Sequence, residues 1–236
     1  IGFTNVFNRL KLNTSEILHV SADKKIYFAK DLGKETLYDI IRRYSVRSEL
    51  IQIYKRVIEY LVKFQVLGAD TINFNLCFET MTFDHEQIKF DADKFKKYFL
   101  IKYLQKDTNV LDDKFLFDIM DLTINVSGKY FMYRDFQPRN IIIQNNEPYF
   151  VDYQSGRLGP PQYDLISFLY SGSIDITDDE RNVLKDYYYA EFTKYNKLDK
   201  EIFFNSLDYF ALLRIIQVLG SYSHSYIEKN NKNVLN

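Results

Sequence analysis

Tryptophan is absent from this chain of 236 residues, and cysteine occurs once, at Cys77. A single thiol cannot build an intrachain disulfide framework, so a reducing, cytoplasmic setting is expected. No base stands near Cys77 in sequence, and it reads as a packed thiol. An excess of one charge is also missing, since 31 lysines and arginines face 32 aspartates and glutamates. Nothing in that balance would hold a nucleic-acid backbone by counterion release, so no nucleic-acid partner is expected. Long apolar runs are lacking too. The richest, Tyr209 to Leu219, is interrupted by Arg214 and Gln217, short of the ~20 residues that span a bilayer. No membrane partner is expected, and no signal peptide is visible at the amino end. His19, His85 and His224 lie far apart without ligand spacing, which speaks against zinc. Glycine is scarce at eight residues, and no Gly-x-Gly-x-x-Gly loop occurs.

What is present is a large apolar share, 46%, with twenty tyrosines and twenty phenylalanines. That aromatic excess reads as genomic base bias, while the apolar share is enough for a substantial core. Phe3, Val6, Phe7 and Leu10 have helical spacing, so Asn5 to Leu10 reads as a helix end. Glu16 to Val20 and Lys25 to Ala29 read as two short strands, and Thr36 to Tyr44 as a helix. Tyr54, Val57, Ile58, Leu61 and Phe64 form a core-facing stripe that the sequence ends near Gly68. Helices are also expected over Asp91 to Leu104 and Leu111 to Val126. The texture then changes: a strand at Tyr130 to Tyr133, a loop, and a hairpin of Asn140 to Ile143 with Pro148 to Tyr153. Helices resume over Asp164 to Leu169, Asp178 to Tyr195 and Lys200 to Glu228.

The interruption carries the chemistry. It reads Tyr133-Arg134-Asp135-Phe136-Gln137-Pro138-Arg139-Asn140, then the hairpin, then Val151-Asp152-Tyr153-Gln154. Phosphoryl transfer needs a carboxylate to align an acceptor hydroxyl and oxygen ligands for the cations that neutralise phosphate. Magnesium takes hard oxygen donors and completes its octahedron with phosphates and water. Asp135, Asn140 five residues on, and Asp152 beyond a hairpin are such a set. Each alone is a weak signal, but the strand–loop–hairpin context makes the combination specific.

Residues 131 to 170 resemble the aminoglycoside phosphotransferase and choline kinase superfamily, which shares the protein-kinase fold. The string Arg134 to Asn140, followed by Val151-Asp152-Tyr153-Gln154-Ser155-Gly156-Arg157-Leu158-Gly159-Pro160-Pro161-Gln162-Tyr163-Asp164-Leu165, is most similar to the bacterial N-acetylmuramate/N-acetylglucosamine kinase group. Asp31-Leu32-Gly33 with Thr36-Leu37, and Arg214, Gln217, Leu219 and Gly220, extend the likeness from about Phe3 to Tyr222. The resemblance implies an α+β, mostly α, protein kinase-like fold that uses ATP and magnesium. Residues 1–30 would be a stub of the amino-terminal lobe, a helix end and two strands, and residues 31–236 the helical carboxyl-terminal lobe with a small catalytic hairpin. It further implies Asp135 as base or hydroxyl-orienting carboxylate, and Asn140 and Asp152 as ligands of ATP-bound magnesium. Asp164 would brace the catalytic loop, cap its own helix, or do both. Arg157 would touch substrate or phosphate, or else partner Asp164. Gln137 and Arg139 complete the loop.

Two departures select among kinases. Gln137 stands where protein kinases carry a lysine, and Gln154 replaces the glycine of Asp-Phe-Gly. Both suit a small-molecule acceptor, foremost an amino sugar, with choline or an aminoglycoside as alternatives. The expected glycine loop, its strand lysine and the partner glutamate do not occur. An upstream segment carrying them is therefore expected, against the alternative of a remnant that binds without catalysing. On the acceptor side, Asp91 or Glu86 could hydrogen-bond a sugar hydroxyl or a cation. The plainer alternative has Asp91 capping a helix and Phe95 in the core. Arg214 and Gln217, on an otherwise apolar helix, are costly to bury unpaired and are expected to bond a loop.

Overall fold

The computed structural model describes residues 1–43, 46–77, 80–109, 111–124, 126 and 128–231. Near the amino end, α1 (Gly2–Arg9) buries Phe3, Val6 and Phe7, and a polar turn joins β1 (Ile17–Val20) to β2 (Tyr27–Ala29). Thr36 starts α2 (Leu37–Ile41) by reciprocal capping: its hydroxyl accepts from Asp39 N, while the Asp39 carboxylate accepts from Thr36 N at 3.0 Å. The helix ends at Ile41 and Arg42 and Arg43 form a turn, so it is shorter than expected; Tyr44 itself falls outside the described residues.

The apolar stripe lies on α3 (Arg47–Thr71), where Tyr54, Val57, Ile58, Leu61 and Phe64 are all fully buried. Gly68 does not end this helix, contrary to the sequence expectation. Its position is one of close approach, since a Cβ there would sit 3.0 Å from the Cβ of Phe131. The helix expected at Asp91 to Leu104 divides into α4 (His85–Lys94) and a π-helical segment, Phe95–Tyr103. Asp84 caps α4, accepting from Gln87 N at 3.0 Å, so Asp91 is not a cap. It lies inside the helix and is buried.

After α5 (Asp113–Ile124), β3 (Tyr130–Met132) pairs antiparallel with β6 (Arg157–Gly159). The sequence did not suggest β6, because three residues carry no periodicity. Strands β4 (Ile141–Gln144) and β5 (Glu147–Phe150) form the expected hairpin, the first strand one residue later than expected and the second ending at Phe150, before the expected Tyr153, because Val151 N turns to Asn140 O. Its turn residues Asn145 and Asn146 have φ of 51° and 64°, the left-handed pair that asparagine tolerates in a two-residue turn. The hairpin is stitched on both sides, with Phe150 N donating to Asn13 O (2.8 Å) and Ile143 N to Glu35 O (2.9 Å).

Helices α6 (Gln162–Leu169), α7 (Asp178–Phe192) and α8 (Lys200–Glu228) complete the α+β, mostly helical body. By length and composition alone α8 could cross a membrane. Here it packs against α4, α5, α6 and the π-helical segment, burying Phe203, Phe210 and Ile216. The loop between β3 and β4 rests on a cluster of rings. Phe64 packs edge-on to Phe150 at 5.1 Å and to Phe7 at 4.7 Å, and Phe136 stacks on Phe150 at 5.7 Å. Such pairs add about 0.5–1.5 kcal/mol each beyond area burial.

Candidate active site

Strand β3 delivers the chain to Tyr133, which is 1% exposed and donates its hydroxyl to Val151 O. Burial holds that phenol well above its usual range, so it stays a donor. The next residue, Arg134, has φ 73°, an uncommon conformation for a long side chain. Asp164 holds the bend, accepting from Tyr133 N at 2.7 Å and Arg134 N at 2.8 Å. Gln65 Nε2 lies 3.5 Å from the same carboxylate. Full burial pushes the Asp164 carboxyl up to about 7, against the lowering effect of its hydrogen bonds. Asp164 sits in the first turn of α6 and does not cap it. The N-cap position is Pro161.

The bend presents Asp135, whose side chain is 41% exposed. Its Oδ1 accepts from Gln137 Nε2 (3.2 Å) and Arg214 Nη2 (3.3 Å). Asn140 closes the loop, with Nδ2 donating to Asp135 O at 2.9 Å. Val151 N donates to Asn140 O at 3.1 Å, which draws the strand end beside the loop. Asp152 follows with φ 70°, exposed, and accepts from Gln154 Nε2. The loop is thereby tied to the segment that bears Asp152, as the spacing suggested. A cleft of about 270 Å³ opens beside Asp152, lined among others by Phe3, Thr4, Ile17, Tyr27 and Gln154.

Other expected residues lie elsewhere. Arg139 is exposed and stacks on Tyr38, 3.7 Å from the ring centre, which turns it toward α2. Arg157 is fully buried, and its described hydrogen bonds run to Thr80 and Gln87 (both 2.7 Å) and to Ser155 O, not to Asp164. Burial on that scale removes it from substrate contact. Glu86 is exposed on the first turn of α4, with no described contact to Asp135. Asp91 is buried, accepts from Gln87 Nε2 (3.3 Å) and pairs with Arg134 at 3.5 Å. Desolvation raises its carboxyl, opposed by Arg134. Asp91 therefore reaches the site through Arg134. Arg214 is the residue that spacing could not have placed. It comes from α8 with a side chain 11% exposed, and Nη1 donates to Arg134 O (3.4 Å) and Gln217 Oε1 (2.6 Å). Its polarity on an apolar helix was the available signal.

A match over residues 24–198 shows that the chain belongs to the phosphotransferase enzyme family. It is 22% identical over 167 residues to an N-acetylmuramate/N-acetylglucosamine kinase of Neisseria meningitidis serogroup B, covering 70% of this chain and 48% of that protein. The chain thus spans about half the length of that curated relative. Among solved structures, an amicoumacin kinase in complex with AMP-PNP, Ca2+ and Ami superposes with a TM-score of 0.66 at 13% identity, over 97% of this chain and 71% of that one. The Plasmodium vivax ethanolamine kinase superposes at 0.63 with 12% identity, over 99% and 68%. At such identities the likeness establishes the fold, and the fold is the kinase-like one.

Proposed function

We propose that this chain is the catalytic part of an ATP- and magnesium-dependent kinase that phosphorylates a hydroxyl of a small molecule, an amino sugar of the N-acetylmuramate/N-acetylglucosamine type. The observation that carries the reading is the junction of Asp135, Asn140 and Asp152, held by Tyr133, Val151 and Asp164. In this reading residues 1–30 are a stub of the nucleotide-covering lobe and residues 31–236 are the catalytic lobe.

Asp135 orients the acceptor hydroxyl and takes its proton as the new bond forms. Arg214 and Gln137 fix that carboxylate by bonding one oxygen, which leaves Oδ2 for the hydroxyl. The donor set suits magnesium. Among the described residues no cluster of three or more His, Cys, Asp or Glu could hold a metal by itself, and magnesium asks for one or two protein oxygens plus phosphates. Asp152 offers an exposed carboxylate. Asn140, whose amide nitrogen is occupied by Asp135 O, keeps its oxygen available. Bound Mg–ATP would supply the phosphoryl group and the charge that stabilises its transfer. Asp164 acts by holding the loop, and Gln154 by hydrogen-bonding Asp152.

The test is ATP consumption by the full-length protein against N-acetylmuramate, N-acetylglucosamine, other sugars, choline, ethanolamine and aminoglycosides. Asp135→Asn and Asp152→Ala should each lower turnover by about a thousandfold, with circular dichroism unchanged. Turnover that survives both substitutions would sink the mechanism. Preference for choline or an aminoglycoside would overturn the choice of acceptor.

A further inference from the structure

Asp152 carries φ 70°, a left-handed conformation that residues other than glycine hold when their surroundings fix it. Its side chain is exposed and accepts from Gln154, itself exposed, so its direction is set by the residues on either side. On one side, Val151 is tied to the loop: its N–H donates to Asn140 O (3.1 Å) and its carbonyl accepts from Tyr133. On the other, Tyr153 reaches α1. Its ring packs edge-on against Phe7 at 5.1 Å, and its hydroxyl shares a hydrogen bond of 2.7 Å with Thr4 Oγ1, 149 residues earlier. Thr14 lies beside the same hydroxyl, while its own donates to Asn8 Oδ1 (2.7 Å).

Thr4 is 6% exposed and sits among Phe3, Val6 and Phe7 on the buried side of α1. A hydroxyl on such a face costs stability unless it is bonded, and Tyr153 supplies the bond. Helix α1 is itself fixed, since Phe7 packs edge-on to Phe64 (4.7 Å) and Phe131 (5.1 Å), and Phe3 to Phe131 (5.8 Å). A satisfied polar pair would also suit packing alone, but this one has a specific place. Thr4, Tyr153 and Asp152 line the same cleft of about 270 Å³. We propose that Thr4 and Tyr153 are positioning residues for Asp152. The bond from α1 holds the segment so that the carboxylate faces the cleft in the direction that a divalent cation requires. Groups that bond around a metal site orient its ligands in this way, and losing one costs about tenfold or more in metal affinity. The proposal rests on the reading that Asp152 holds magnesium, and it assigns neither residue a contact with the metal.

The experiment is Mn2+ binding, in place of Mg2+, to the full-length protein with AMP-PNP, read from the electron paramagnetic resonance of the free ion, with Tm measured alongside. Tyr153→Phe keeps the ring and removes the hydroxyl, and Thr4→Val keeps the shape and removes its partner. Each should weaken Mn2+ binding by about tenfold and raise the Mg2+ needed for half-maximal turnover by the same factor. The double variant should be no weaker than Tyr153→Phe, because both substitutions remove one bond. Thr4→Ser should bind as the unaltered protein does. Tyr189→Phe, on α7, loses a hydroxyl bond to Leu198 O (2.8 Å) and should keep the Mn2+ affinity even where Tm falls. Unchanged affinity in Tyr153→Phe or Thr4→Val overturns the proposal, as does an additive loss in the double variant or an equal loss in Tyr189→Phe. Asp152→Ala separates the two readings. Affinity lost there but kept in Tyr153→Phe sinks the positioning alone, whereas affinity kept in Asp152→Ala sinks the metal reading and the positioning with it.

Discussion

The rings around the loop at 133–140 and the apolar side chains of the β1–β2 hairpin are of the same kind but have opposite surroundings. Phe131, Phe136 and Phe150 are 0% exposed, whereas Leu18, Ile26, Tyr27 and Phe28 lie between 55% and 63%. The first group is enclosed by α1, α3 and α6, and the polar atoms beside it are bonded to Asp164, Val151 and Asn140. The second belongs to a two-stranded sheet with both outer edges unpaired among the described residues. Two strands without a covering layer are marginal in water. The contrast teaches that apolar content alone does not make a firm structure here. Enclosure together with satisfied polar groups does.

Removing the brace should break the firm region most severely. Asp164→Ala leaves the buried Tyr133 and Arg134 amides without an acceptor and should cost about 3 kcal/mol in urea denaturation. Stability should also respond to pH through the same residue. The folded carboxyl, at about 7, lies above its unfolded value of 3.8, so the folded state retains a proton that the unfolded state gives up. The contribution is therefore complete below about pH 4 and is lost as pH rises through about 7, a decline of about 4 kcal/mol over that span. Urea midpoints at pH 5 and pH 8 measure it, and Asp164→Asn should flatten the difference. A rise with pH would show that the hydrogen bonds outweigh burial.

Gly156→Ala probes packing in the same region, because the added Cβ would sit 2.5 Å from Cε2 and Cζ of Phe131. A loss of about 1–2 kcal/mol, read as a lowered Tm, is expected. The hairpin should respond least. Phe28→Ser should change stability by no more than about 0.5 kcal/mol. Hydrogen exchange should be fast over 17–29 and slow over 141–150. Slow exchange at β1–β2 would mean that the two regions differ less than their exposure suggests.

How much of this was legible follows from where each signal resides. Helix α8 was read at its observed bounds, and the buried stripe of α3 was read residue by residue, because helical periodicity is local. The β4–β5 hairpin was legible from its asparagine turn. That Asp135 and Asn140 share a loop to which the strand end before Asp152 is tied was legible, because their spacing is also local. Other features were not. Gly68 and β6 depend on Phe131 and β3, which lie far off in the chain. Asp164 bonds amides thirty residues away, and only the folded backbone shows that its helix starts before it, at Pro161. Arg157 and Asp91 are the same residues in the sequence whether buried or exposed, so only packing could remove the first from the surface and join the second to Arg134.

The sequence by itself determined the family, the helical body and the order of the loop's chemical groups, since these follow from residue type at short spacing. Tertiary structure alone decided which groups are close. It brought Arg214 from α8 to Asp135 and seated Asp164 beneath the loop. The physical reason is that burial and charge pairing belong to the three-dimensional arrangement, and no run of neighbouring residues encodes them.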